Sequence, residues 1–198
     1  MKKTNKLQIK DLVTIGIYTA IYFMVNVIVM VCGGLAPLVW IFMPTILSLL
    51  CGVIYMALMA KVQKPGAILI MGMITALIYL IRGGFSLVLI VTYSVFCILA
   101  ELIRKQMGYS SFKSNLFSYA FFSMGMVGDL LPIWMFRDKY AEHMLSSGMP
   151  ADYIEVLNNV TSVGMLVVML AATFLMAFVE GFLGKFVMKK HLEKAGMV

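Results

Sequence analysis

Six runs of mostly apolar residues, separated by short polar or glycine-containing breaks, make up most of this 198-residue chain. A helix needs about 20 apolar residues to cross a bilayer, within a range of about 17–25. The runs 12–31, 38–60, 85–103, 116–136 and 160–186 reach that length, and 66–81 falls just short. Gly33-Gly34 closes the first run, and Pro44 lies near the start of the second. Pro65 and Arg82-Gly83-Gly84 bracket the third, while Gly125, Gly128 and Pro132 interrupt the fifth. The pattern predicts an all-α integral membrane protein: one membrane domain, residues 1–198, with six transmembrane helices. Between the fifth and sixth runs lies a long polar stretch, 137–159, with Asp138, Glu142, His143, Asp152 and Glu155. Gly148-Met-Pro150 breaks it, and 152–159 could form a short helix. A long connection in a compact protein is either a binding element or lid, or a solvated connector.

Composition agrees with this reading. The chain is 62% hydrophobic and 13% charged, where a soluble domain carries about 25% charged residues. The basic N-terminus resembles the start of a signal peptide. The apolar run that follows is long enough to span and has no Ala-x-Ala cleavage pattern, so it predicts a retained first helix. Cys32, Cys51 and Cys97 have no metal-type spacing and read as small apolar side chains.

The net charge of +7 raises nucleic acid as a partner. Its placement argues against that. Cytoplasmic loops of membrane proteins are enriched in Lys and Arg. Lys2, Lys3, Lys6, Lys10, Lys61, Lys64, Arg104, Lys105, Lys113, Lys185, Lys189, Lys190 and Lys194 fall at alternate ends of the six runs, leaving Arg82, Arg137 and Lys139 for the other side. The bias predicts both termini in the cytoplasm, with the charge meeting lipid headgroups and no nucleic acid.

The catalytic inventory is nearly empty. His143 and His191 lie at opposite ends, and there is no HExxH, Gly-x-Ser-x-Gly or Walker motif. The expectation is a non-enzyme with no metal site and no cofactor of its own. Asp129 is the conspicuous polar residue: a carboxylate at mid-membrane costs about 2.5–3.5 kcal/mol, so such groups face a cavity or a partner. It is expected either to contact ligand or to pair with Arg82 or Arg137. Trp134 and Arg137 follow on the same run. Trp40, Asn26 and Tyr79 also fall towards the outer side. Together these seven form the candidate substrate-binding set, although Trp40 and Trp134 also suit interface anchors. Glu180 reads as a helix-end partner of Lys185 or as an ion-pathway group, and Glu101 as a helical ion pair with Arg104 and Lys105. Small residues four apart occur at Gly16/Ala20, Ser48/Gly52 and Gly72/Ala76. Such pairs let helices approach closely, either within the bundle or against a partner.

Several strings give the chain a wider resemblance: Lys10-Asp-Leu12, Ile54-Tyr-Met-Ala-Leu-Met-Ala-Lys61, Ala100-Glu-Leu-Ile-Arg-Lys105, Ser118-Tyr-Ala120, Leu131-Pro-Ile-Trp134 with Arg137-Asp138, and Lys189-Lys-His-Leu-Glu-Lys-Ala-Gly196. In that order, in a six-helix chain, they resemble the substrate-binding (S) components of energy-coupling factor transporters, of the Trep-Strep or MptD-like type. The resemblance implies capture of a small solute such as a vitamin or metal at the outer face. It also implies a membrane T component and two ATPase subunits as partners, which supply the ATP hydrolysis. The small-residue pair Gly16 and Ala20 would face the T component, with Gly where that family usually has Ala. The alternative is a stand-alone ion-coupled carrier with Asp129 and Glu180 as relay groups. Two dissimilar three-helix halves weaken an inverted-repeat transporter.

Overall fold

The computed structural model describes residues 6–82 and 86–194, with side chains for 6–81 and 87–186. Among the described residues all regular structure is helical. The first run becomes α1 (Ile9–Gly33). The second becomes α2 (Pro37–Ile41), α3 (Met43–Leu50) and α4 (Gly52–Lys61). Then come α5 (Ala67–Arg82), α6 (Ser86–Met107) and α7 (Phe112–Met124). A 3₁₀ turn, Gly125–Asp129, leads to α8 (Pro132–Met135), α9 (Arg137–Ser146), α10 (Ala151–Val160) and α11 (Val163–Lys194). The spans Ile9–Gly33, Leu87–Met107 and Val163–Phe186 are long and apolar enough to cross a membrane. The bent pair α3–α4 makes a fourth if it is one span.

Helix α1 shows how the sequence positions these elements. Its buried residues Asp11, Ile15, Thr19, Tyr22, Asn26, Val29 and Gly33 recur every three or four positions and form one stripe. That stripe packs on α2 to α5. The opposite face exposes Leu12, Val13, Ile17, Ile21, Met24, Val27, Ile28 and Val31, the apolar surface that lipid requires. Helix α6 packs against α5, α7 and the 3₁₀ turn, and α11 closes the bundle against α3, α4 and α7.

Two of the expected spans are not continuous helices. The second bends by 49° between α3 and α4. The break falls at Cys51 (φ −97°, ψ 0°). Pro44 is not the cause, because it occupies the first turn of α3, where a missing N–H costs nothing. The fifth run stops as an α-helix at Met124 and continues as the 3₁₀ turn. Gly128 explains the close fit there: a Cβ on it would meet Thr92 Oγ1 and lie 2.9 Å from Leu89 Cα. The stretch 137–159 is no loose connector but the helical pair α9–α10, and the short helix expected at 152–159 forms as Ala151–Val160.

Glycine substitutions should separate packed from open positions. Gly128→Ala should lower stability by about 1–3 kcal/mol through overpacking. Gly16→Ala should be neutral or slightly stabilising, because among the described residues nothing outside the local helix backbone lies within 4 Å of the added Cβ and Ala is the better helix former. Thermal unfolding of both variants in detergent checks this; equal behaviour would contradict the 3₁₀ packing described here.

Candidate binding site

The end of the bundle beneath α9 and α10 holds three of the seven candidate residues, Trp40, Trp134 and Arg137. Trp40 is buried on α2, and its Nε1 donates to Tyr140 Oη on α9 at 3.0 Å. Its ring lies against Gly33, where a Cβ would sit 3.1 Å from Trp40 Cε3. Tyr153 on α10 donates to the Gly33 carbonyl at 2.7 Å. Burial pushes its phenol up to about 12, so it remains a donor at physiological pH. Gly148 (φ +88°) makes the turn between α9 and α10 in a conformation that side-chain-bearing residues rarely adopt. These contacts clasp the α9–α10 pair to the ends of α1 and α2.

Trp134 and Arg137 come together at one side of this cap. With Ile133, Thr161, Ser162 and Val163 they line a cleft of about 290 Å³. Trp134 Nε1 donates to the Ser162 carbonyl at 2.9 Å. Arg137 Nε donates to Asn158 Oδ1 at 3.2 Å, and its Nη2 donates to the Asn158 carbonyl. The cleft joins α8 and the start of α9 to the link between α10 and α11.

Asn26 and Tyr79 meet elsewhere, inside the bundle. Asn26 donates to the Tyr22 carbonyl at 2.7 Å and accepts from Tyr79 Oη at 3.4 Å. Tyr22 and Tyr93 share a hydroxyl–hydroxyl bond of 3.1 Å, and Tyr93 donates to Met126 Sδ at 3.7 Å. Phe122 stacks edge-on against Tyr22 and Tyr93. Beside them, Phe23, Val27, Met30, Ile78 and Tyr79 line a second cavity of about 40 Å³, roughly the share of liquid volume of a single water. Asp129 is buried at the end of the 3₁₀ turn and lines neither cavity. The Arg82 side chain lies outside the described residues. The candidate set therefore divides into a cap contact (Trp40), a cleft (Trp134, Arg137), an interior pair (Asn26, Tyr79) and the buried Asp129. The sequence reading missed Thr161 and Ser162 in the cleft and Asn158, which holds Arg137 beside it; their only signal was proximity to the start of the last apolar run.

Two other expectations are met differently. Glu101 does not pair with Arg104 or Lys105. It accepts from Gly66 N–H at 2.9 Å and Tyr109 Oη at 3.1 Å. Arg104 is fully buried, donating to Asn115 Oδ1 at 3.0 Å and to the Val62 and Tyr109 carbonyls. Helix α6 runs on to Met107, which carries this arginine inside a junction of two turns rather than into a loop. Glu180 is buried with its side chain packed on Gly52 at the start of α4, and Lys185 instead sits 4.7 Å from the Phe112 ring centre. The small-residue pairs also separate. Gly52 packs on Glu180 and Gly72 on Cys97, whereas Gly16 and Ala20 lie on the exposed face of α1.

Long apolar helices with exposed apolar faces, broken segments patched by side chains, and a clasped cap over one end define an integral membrane protein. Residues 9–194 match the family described as hypothetical bacterial integral membrane protein (Trep_Strep), and the chain belongs to that family. No curated protein and no solved structure matches the chain significantly.

Tyr153→Phe tests the clasp. It should cost about 0.5–1.5 kcal/mol and speed amide exchange across α10 with little change in α6. A phenol raised above its ordinary value of 10.0 contributes fully below that pH and loses its contribution as pH climbs towards about 12. The stability gap between wild type and Tyr153→Phe should accordingly close over that range.

Proposed function

We propose that this protein is the solute-capture subunit of an ATP-driven importer of the energy-coupling factor type. On this reading it crosses the cell membrane six times with both termini in the cytoplasm. A small solute, such as a vitamin or metal, binds at the outer face beneath α9–α10. A membrane T component and two ATPase subunits then drive its passage inward. The chain carries no ATP site of its own.

The observation that carries the reading is the placement of Gly16 and Ala20. Lipid fits itself around large apolar side chains and gains nothing from small ones four apart. A protein helix does gain, because backbones can then approach closely. Of the three small-residue pairs, this one alone turns away from the bundle: Ser48, Gly52, Gly72 and Ala76 are buried, while among the described residues nothing outside the local backbone of α1 lies within 4 Å of a Cβ on Gly16. The surface thus suits a second membrane protein. A stand-alone carrier with Asp129 and Glu180 as ion relays is less well supported, since the Glu180 side chain is buried against Gly52 at the start of α4.

Co-expression with a T component and its two ATPases should yield a complex that survives purification. Gly16→Leu should leave the melting temperature of the lone chain within a few degrees of wild type while reducing complex recovery at least tenfold. Transport by the lone chain in liposomes, abolished by collapsing an ion gradient, would instead establish the carrier.

A further inference from the structure

The charges named in the sequence left the sign of the solute open, with Asp129 set against Arg82 and Arg137. The structure places Asp129 and Arg137 differently. Asp129 is buried at the end of the 3₁₀ turn and does not line the cleft. Arg137 does, and it is the only charged residue among the six that line it. It forms no ion pair among the described residues. Its partner Asn158 is neutral and accepts from Nε and Nη2. That grip orients the guanidinium without cancelling its charge, and Nη1 has no hydrogen-bond partner among the described residues.

The other cleft groups have compatible chemistry. Ser162 Oγ accepts from the Met165 N–H at 3.1 Å, which leaves its own proton available to donate. Thr161 is occupied, donating to the Leu157 carbonyl at 2.6 Å, so it does not compete for a ligand acceptor. The Trp134 ring is held by its bond to the Ser162 carbonyl and offers a fixed aromatic wall. The cleft volume of about 290 Å³ lies at the small end of sites for organic molecules, which run from about 300 Å³. Arginine suits planar oxyanions because its donors form a rigid fork.

We propose that this cleft is an oxyanion seat. The carboxylate or phosphate of a small flat solute binds Arg137 and the Ser162 hydroxyl, with its ring against Trp134. The inference rests on the solute-capture reading and narrows it to an anionic aromatic or heteroaromatic solute. An anionic lipid headgroup offers the same chemistry and must be told apart.

Isothermal titration calorimetry on the full chain in phosphatidylcholine nanodiscs tests this with benzoate, phenyl phosphate and uncharged benzamide. At least one anion should bind saturably, ten-fold or more tighter than benzamide. Arg137→Gln should abolish that preference at an unchanged melting temperature. Trp134→Leu should weaken the ring-bearing anions while leaving the preference for charge. No binding of either anion, equal binding of benzamide, or an unaltered preference in Arg137→Gln would overturn the seat. Repeating the titration with phosphatidylglycerol in the disc identifies the source: undiminished benzoate binding supports a soluble solute, and complete displacement overturns that assignment. Because the assay uses the lone chain, loss of ATPase coupling would sink the importer reading without affecting it. Demonstrated import of a neutral solute through this cleft would do the reverse.

Discussion

Lipid supplies no hydrogen bonds, so every backbone group at membrane depth must find a partner inside the protein. Continuous helices meet this constraint by themselves. This chain breaks two of its apolar segments, and side chains from neighbouring helices repair both breaks. Near the bend between α3 and α4, Tyr119 donates to the Ser48 carbonyl at 2.6 Å and the Glu180 side chain packs on Gly52. Where α7 gives way to the 3₁₀ turn, Thr92 donates to the Gly125 carbonyl at 2.9 Å. Each repair ties the broken element to α7, α11 or α6, so the breaks are fixed in position rather than loosely placed.

Those repairs account for the polar interior. A tyrosine buried among apolar helices needs a partner for its hydroxyl, and here the partners cross between elements: Tyr55 with Ser118 at 2.7 Å, Tyr22 with Tyr93, and Tyr119 with Ser48. The bonds join α1 to α6, and α7 to both α3 and α4. Towards the cap the linking groups change in kind, with Trp40, Tyr140 and Tyr153 bonding across the ends of helices. The cleft opens where this second set gives out, between α8 and the start of α11.

The overall class was legible from apolar run lengths alone, because a bilayer permits few alternatives to a helix. The interruption of the fifth run was legible too, in Gly125, Gly128 and Pro132. The bend at Cys51 was not, since no proline or glycine pair marks it; the Glu180 side chain packed on Gly52 beside it arrives from far along the chain. Likewise Glu101 and Arg104 stand three apart and suggest a helical pair, but the helix runs on past them and burial redirects both to backbone groups of adjoining turns. Of the candidate binding residues, sequence order placed Trp134 and Arg137 together correctly because they share one short segment. It could not supply Asn158 and Ser162, which arrive from beyond the α9–α10 pair.

Helix α1 brings the two ends of the argument into one element. Its buried stripe carries Tyr22 and Asn26 into the tyrosine network and ends at Gly33, whose carbonyl takes the Tyr153 bond and whose missing side chain admits the Trp40 ring. Its exposed stripe carries Gly16 and Ala20. A helix with its side chains is only about 10–12 Å across, so these two stripes lie back to back. The interior stripe needs exact partners at every turn, which fixes the rotation of α1 about its axis. That rotation in turn holds the small-residue pair facing outward, where a large apolar residue would have served lipid equally well.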